Sequence, residues 1–276
     1  MSDAAFAAIE PLDQLAIIAG NGVYPQLLAA SARAAGVRKI AAVAFTGETD
    51  PKLAQLVDEI CWLRVGQLGR MLSTLRGYEH AIMAGQIAPR NLFDLRPDWR
   101  ALLLLAKLKR RNAESIFSAI ADELTTAGIT LLPATTFLEH LLAPAGRIAG
   151  PQLARREEAD VKFGFEIARQ VVSLDIGQTI VVKNGTVLAV EAFEGTNEAM
   201  RRGGALGRDG AVVIKRAKSD QDMRFDVPVI GPDTIEVAAA AKIRVVAVEA
   251  ARTMLLDKDS LKEAAERAGI SLFGWQ

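Results

Sequence analysis

Short apolar runs that stop at glycine and give way to a helix constrain this chain most. Residues 15–19 (LAIIA) carry no polar interruption and end at Gly20-Asn21-Gly22. An alanine- and leucine-rich stretch, 26–35, follows and ends at Gly36. An unbroken apolar run of that length suits a strand buried on both faces, and Pro25 suits the first turn of the helix behind it. The signal returns at Lys39–Phe45 (KIAAVAF), 59–65, His80–Ala84 and 129–132, with helical stretches at 66–75 and 112–127. Strands alternating with helices predict an α/β fold with a parallel sheet covered on both faces.

Residues 144–151 (PAGRIAGP) are rich in glycine and proline and read as a linker, so two domains are expected, 1–147 and 148–276. Beyond it, 157–172 reads as a helix. The runs 178–183 and 186–193 flank Asn184-Gly185, the dipeptide of a type I′ turn, which predicts a β-hairpin. A helix from Thr196, a strand at Ala211–Lys215, a helix at 234–241 and a strand at 244–249 complete a mixed α/β half.

Lys and Arg balance Asp and Glu at 33 each, so no global field draws nucleic acid. Cys61 is the only cysteine and rules out an intrachain disulfide. With only His80 and His140 beside it, zinc is a poor expectation, and both histidines read as structural. A metal, if used, is a hard cation on carboxylates and phosphate. No run reaches the roughly 18 apolar residues of a membrane span, and the N-terminus lacks a signal-peptide pattern. A cytoplasmic protein is expected, with peripheral contact with the inner membrane left open.

Five places can carry chemistry. Gly20-Asn21-Gly22 lies at a strand's carboxyl end and can bring backbone N–H groups to a nucleotide phosphate. Pro25 stands where a dinucleotide fingerprint has its third glycine, and Glu48 lies farther along than the usual acid about 20 residues on, which weighs against a nicotinamide oxidoreductase. Gly85-Gln86 follows the fourth strand, and Gln86 and Arg90 can read a uracil or a phosphate. Glu191 and Glu194 close a strand before a helix capped by Thr196, and two such acids can face one metal. Residues 215–226 mix Lys215, Arg216, Lys218 and Arg224 with Asp220, Asp222 and Asp226, the pairing a pyrophosphate ester and Mg²⁺ require. Residues 99–112 (WRALLLLAKLKRRN) form a basic amphipathic stretch that either packs on the core or meets an anionic membrane. Each pattern also has a plain structural reading, as a turn, a cap or a solvated charged loop.

Taken in order, IAGNGVYP, LDIGQTIVV with VEAFEGTN, VIKRAKSDQDMRFDVPVIG and the terminal AGISLFGW resemble the LpxI family of UDP-2,3-diacylglucosamine pyrophosphatases of lipid A biosynthesis. The most specific part is EGT at 194–196 followed by QDMRFDVP at 221–228, and the resemblance spans about residues 15–275. It implies a Rossmann-like N-terminal domain, a C-terminal mixed α/β domain, a homodimer, Mg²⁺ as cofactor and a twice-acylated UDP-sugar held between the domains. Its products would be UMP and 2,3-diacylglucosamine 1-phosphate (lipid X). Carried over by residue, Asp226 and then Asp222 would be the catalytic carboxylates and, with Glu191, the metal ligands. Lys215, Lys218 and Arg224 would bind the pyrophosphate, Thr196 and Asn197 phosphate or sugar, and Gly20, Asn21, Gly22 and Gln86 the UDP. Tyr24, Arg90 and Gln178 complete the expected substrate contacts. Asn197 replaces the family's usual Asp, and Ser219 and Asp220 depart from its usual phosphate-loop pattern. A carrier that binds lipid or nucleotide sugar without turnover is the alternative.

Overall fold

The computed structural model describes residues 12–87, 97–109, 113–218 and 221–276. The chain divides into two compact units. The first runs to Leu138 and also takes in Met223–Asp226; the second holds Glu139–Asp222 and Val227–Gln276.

The first unit is built on β1 (Gln14–Ala19), β2 (Lys39–Phe45), β3 (Glu59–Leu63), β4 (His80–Ala84) and β5 (Thr130–Leu131), in the order β3-β2-β1-β4-β5. Every pairing is parallel. Strands buried on both faces need no polar alternation, which is why KIAAVAF and LAIIA are apolar throughout. Ala16, Ile18, Val43 and Met83 face one cluster, completed by α2 (Leu68–Thr74), α3 (Trp99–Lys107) and α4 (Ala113–Thr126). The alternate residues Leu15, Ile17, Ile40 and Ile82 are fully buried, and α1 (Tyr24–Ala34) packs against β1 and β4.

The second unit carries β6 (Gly146–Ala149), β7 (Thr179–Lys183), β8 (Thr186–Val190), β9 (Ala211–Lys215), β11 (Ile243–Glu249) and β13 (Ser271–Trp275), in the order β6-β13-β11-β9-β7-β8. The central strands β9, β11 and β13 are parallel, and β6, β7 and β8 join antiparallel. Separately, β10 (Val229–Ile230) pairs with β12 (Met254–Leu255). One face packs on α5 (Arg155–Ser173). The other packs on α6 (Thr196–Gly207), α7 (Pro232–Ala240) and α8 (Lys258–Ala268). Helices come close where glycine allows it. A Cβ on Gly164 of α5 would lie 2.3 Å from Ile214, and one on Gly203 of α6 would lie 2.5 Å from Val181. The hairpin turn at Asn184-Gly185 has both φ angles positive, and the buried Asp160 carboxylate accepts from both of its N–H groups at 2.8 and 2.7 Å.

The division falls at Leu138–Glu139, ahead of the expected 147–148, and the 144–151 stretch is no linker. Its β6 is the edge strand beside β13. Gly150, read as flexibility, serves close contact instead, as does Gly274 opposite the stretch. A Cβ on Gly150 would lie 1.9 Å from the Ile270 carbonyl oxygen, and one on Gly274 of β13 would lie 1.9 Å from that of Pro144.

Candidate active site

At the carboxyl edge of the first sheet, the turn after β1 and the turn after β4 are sewn together by backbone. Gly20 N–H donates to the Ala84 carbonyl at 2.7 Å, Asn21 N–H to that of Gln86 at 2.6 Å, and Gln86 N–H back to that of Asn21 at 3.2 Å. A Cβ on Gly20 would lie 2.7 Å from the Gln86 carbonyl oxygen, and one on Gly85, at φ +90°, would lie 2.5 Å from that of Asn21. Both positions therefore exclude larger residues. Gly22 differs: it needs glycine for its φ of +88° and has open space where a Cβ would stand. Asn21, Gly22 and Gln86 are exposed at this edge, where open α/β sheets take their ligands. The structure thus joins three of the expected nucleotide contacts, while Gly20 is buried beneath them as a spacer.

Tyr24 is placed differently from its neighbours. Its ring is buried, its hydroxyl donates to the Ala134 carbonyl, and burial pushes the phenol well above its ordinary pKa. The hydroxyl expected to touch substrate is held by the protein's own backbone. Arg90 lies outside the described residues.

The second unit gathers side chains at the carboxyl edge of its own sheet. Thr196 opens α6 after Gly195, whose φ of +85° turns the chain. The Thr196 hydroxyl donates to Glu191 Oε1 at 2.9 Å and accepts from Lys215 Nζ at 3.1 Å. Its oxygen also lies 3.2 Å from the Thr179 hydroxyl, which must donate because the Thr196 proton is already engaged. The other Glu191 oxygen accepts from Gln178 N–H at 3.3 Å. Thr196 is therefore a fully bonded knot, not a hydroxyl turned to substrate. What the start of α6 offers an anion is its unpaired backbone N–H groups, with the Lys215 ammonium beside them. Asn197 is exposed on that first turn.

Gln221 was missed as a site residue by reasoning from charge. It is only 8% exposed. Its Oε1 accepts from Lys218 N–H at 2.7 Å and from Gln178 Nε2 at 3.4 Å. Turning the amide over would break the first bond, so its orientation is fixed, and its Nε2 is a buried donor with no partner. A glutamine inside a run of charges was the available signal. The Lys218 ammonium pairs with Asp175, and its carbonyl accepts from Arg252 at 2.6 Å.

The loop expected to act as one piece divides after Asp222. Met223–Asp226 belongs to the first unit. Ala134 N–H donates to the Met223 carbonyl at 2.7 Å, and Phe225 stacks on Phe117 of α4 with ring centroids 5.7 Å apart. The Arg224 guanidinium lies 6.0 Å from the Phe225 ring centroid. Asp222, Arg224 and Asp226 are all half-buried.

Among the described residues, no three of His, Cys, Asp and Glu form a group that could hold a metal ion. Glu191, expected on a metal with Asp222 and Asp226, has its carboxylate bonded to the Thr196 hydroxyl and to Gln178 N–H at the start of β7. The first unit also contains an apolar cavity of about 90 Å³. Phe45, Met71, Leu104, Ile116, Phe117 and Ile120 are among the residues lining it.

With this geometry in hand, the sequence matches the family described as LpxI N-terminal domain over residues 14–141 and LpxI C-terminal domain over 144–273. It is also similar to the UDP-2,3-diacylglucosamine pyrophosphatase LpxI of Caulobacter vibrioides, with 31% identity over 274 residues, 95% of this chain and 97% of that protein. The chain belongs to the LpxI family. The two family segments meet between 141 and 144, close to where the two units of this LpxI-family chain divide. Among solved structures, a dCMP deaminase from the cyanophage S-TIM5 in apo form covers 45% of this chain and 100% of its own, at 20% identity and a TM-score of 0.25. A likeness of that size carries no argument.

Proposed function

We propose that this chain hydrolyses the diphosphate bond of UDP-2,3-diacylglucosamine, releasing UMP and 2,3-diacylglucosamine 1-phosphate in lipid A biosynthesis. The observation that carries the reading is similarity to a pyrophosphatase of that name over nearly the full length of both proteins. The site chemistry supports it. The exposed turn of Asn21, Gly22 and Gln86, at the carboxyl edge of the first sheet, suits a nucleotide. Lys215, the first turn of α6 and the Gln221 amide offer donors to further oxygens. The apolar cavity of the first unit suits hydrocarbon.

In this reading Asn21, Gly22 and Gln86 hold the UDP end. Lys215 and Arg224 offset the charge that grows on phosphate oxygens as the bond breaks. Gln221 donates to an oxygen of the diphosphate from a position already fixed by Lys218 and Gln178. Asp226 accepts the proton of the attacking water, and Asp222 supports it. Water adds at the sugar-side phosphorus, the bridging P–O bond breaks, and the electron pair leaves with UMP.

Mg²⁺, which takes one or two carboxylates and is completed by substrate phosphate, would have Asp226 and Asp222 as its protein ligands. Bound there, the ion would supply Lewis-acid polarisation of the diphosphate. The same reading has the protein working as a homodimer in the cytoplasm. No helix among the described residues is long and apolar enough to cross a membrane.

The test is UMP release by purified protein given UDP-2,3-diacylglucosamine and Mg²⁺. Stoichiometric binding without UMP would replace the enzyme with a carrier.

A further inference from the structure

The helix α3 is apolar on both sides. Ala101 and Leu104 are buried against the core of the first unit, and Leu105 lines its cavity. At 100° per residue, Trp99, Leu103 and Ala106 share the opposite face with Leu102 at its margin. That face is open to solvent: Trp99 is 74% exposed, and Leu102 and Leu103 are each 46% exposed. A helix apolar all round is ordinarily buried, so a half left in water calls for an occupant.

The charges around the face say which. Residues 99–109 contain Arg100, Lys107 and Lys109 and no acid. Arg100 pairs with Glu123 at 2.8 Å, whereas neither Lys107 nor Lys109 forms an ion pair among the described residues. The acid just before the helix is turned inward, with the Asp98 carboxylate accepting from Ala101 N–H at 2.9 Å and Gly69 N–H at 2.7 Å. A second copy seated symmetrically on this face would bring cations to cations, with no carboxylate in residues 99–109 to answer them. An anionic lipid surface answers both parts at once. Trp and Leu enter the headgroup boundary, while the lysine stems lie along apolar surface and their ammonium groups reach lipid phosphates.

We propose that the outward face of α3 docks this protein on an anionic bilayer, with Trp99, Leu102 and Leu103 as the inserted residues and Lys107 and Lys109 as the charge contacts. Docking so places α3 between lipid and the apolar cavity its inner face helps to line. The inference stands whether or not the chain cleaves a diphosphate, because vesicle binding is read without substrate.

The experiment is co-sedimentation of the full chain with phosphatidylglycerol–phosphatidylcholine vesicles and with pure phosphatidylcholine vesicles, plus tryptophan emission. Wild type should sediment with the anionic vesicles, shift its emission to the blue, and lose binding as salt rises. Trp99→Ser/Leu102→Ser/Leu103→Ser should lower the bound fraction by at least about fivefold. Lys107→Glu/Lys109→Glu, two exposed changes that leave the core untouched, should abolish the preference for anionic lipid. Turnover of detergent-dispersed substrate should stay the same in both variants. The proposal falls if wild type remains in the supernatant, if either variant binds like wild type, or if the serine variant instead halves the protein's mass in solution.

Discussion

The two sheet edges solve one problem with different materials. In the first unit the edge is backbone: Gly20 and Gly85 lack the Cβ atoms that would block the hydrogen bonds joining its two turns, and Gly22 supplies a positive φ. In the second it is side chain: Gln178, Glu191, Thr196, Lys215 and Gln221 form a hydrogen-bonded relay with Glu191 and Thr196 fully engaged at its centre. A backbone edge tolerates almost no substitution at its glycines and is indifferent to charge. A side-chain edge can be dismantled one hydrogen bond at a time.

The largest effect is expected at Asp226. Asp226→Ala should lower the rate of UMP release by about 10²-fold or more, the scale of losing a metal ligand or its partner, with the fold intact by circular dichroism. A near-normal rate would remove Asp226 from the chemistry. Next comes the backbone edge. Gly85→Ala sets a Cβ 2.5 Å from the Asn21 carbonyl oxygen at a positive φ, and should cost about 1–3 kcal/mol in urea unfolding while raising KM. Gly22→Ala meets only the φ cost and should lose less, on the order of 1 kcal/mol. Equal losses would mean that close contact is not what fixes that edge.

For the side-chain edge, Gln221→Leu removes a donor with no partner inside the protein. It also strands Lys218 N–H, so stability should fall by about 1–2 kcal/mol. Gln221→Glu keeps the acceptor and loses the donor. If the amide meets a substrate oxygen, Gln221→Glu should impair turnover more than it impairs stability. A loss confined to stability would make Gln221 structural.

Tyr24→Phe separates scaffold from ligand contact. It should cost about 1–3 kcal/mol by leaving the buried Ala134 carbonyl without a donor, and leave KM alone.

The smallest effect lies at the surface. The Arg33 guanidinium beside Asp58, and then the Ile40 N–H, hold its carboxyl below the usual carboxylate range. A depressed folded pKa gives stability that is present above the ordinary carboxylate pKa and fades as pH falls through the lowered one. Asp58→Asn should therefore be slightly less stable near neutrality and indistinguishable from wild type in strong acid.

Much of the backbone edge could be read from sequence because its information is local. An apolar run, a glycine turn and a helix start lie within a few residues of one another, and Gly20 and Gly22 announce themselves by type. The hairpin at Asn184-Gly185 was legible for the same reason. The side-chain edge was only half legible, because its members come from the start of β7, the end of β8, the first turn of α6, the end of β9 and the loop beyond. Spacing along the chain does not reveal that Glu191 turns to Thr196. Nor did the charges of residues 215–226 reveal that the loop divides. That follows from Phe225, an aromatic among charges, which finds Phe117 more than a hundred residues earlier. Gly150 misled in the opposite sense, since composition cannot distinguish a glycine that frees the chain from one that lets two segments touch.

The most direct test of the central claim is to incubate the purified wild-type chain with UDP-2,3-diacylglucosamine and Mg²⁺ in ¹⁸O-labelled water and weigh both products. The account predicts UMP without label and the diacylglucosamine 1-phosphate carrying one labelled oxygen. Label in UMP would place the attack on the other phosphorus, and no cleavage under conditions where the substrate binds would contradict the account outright.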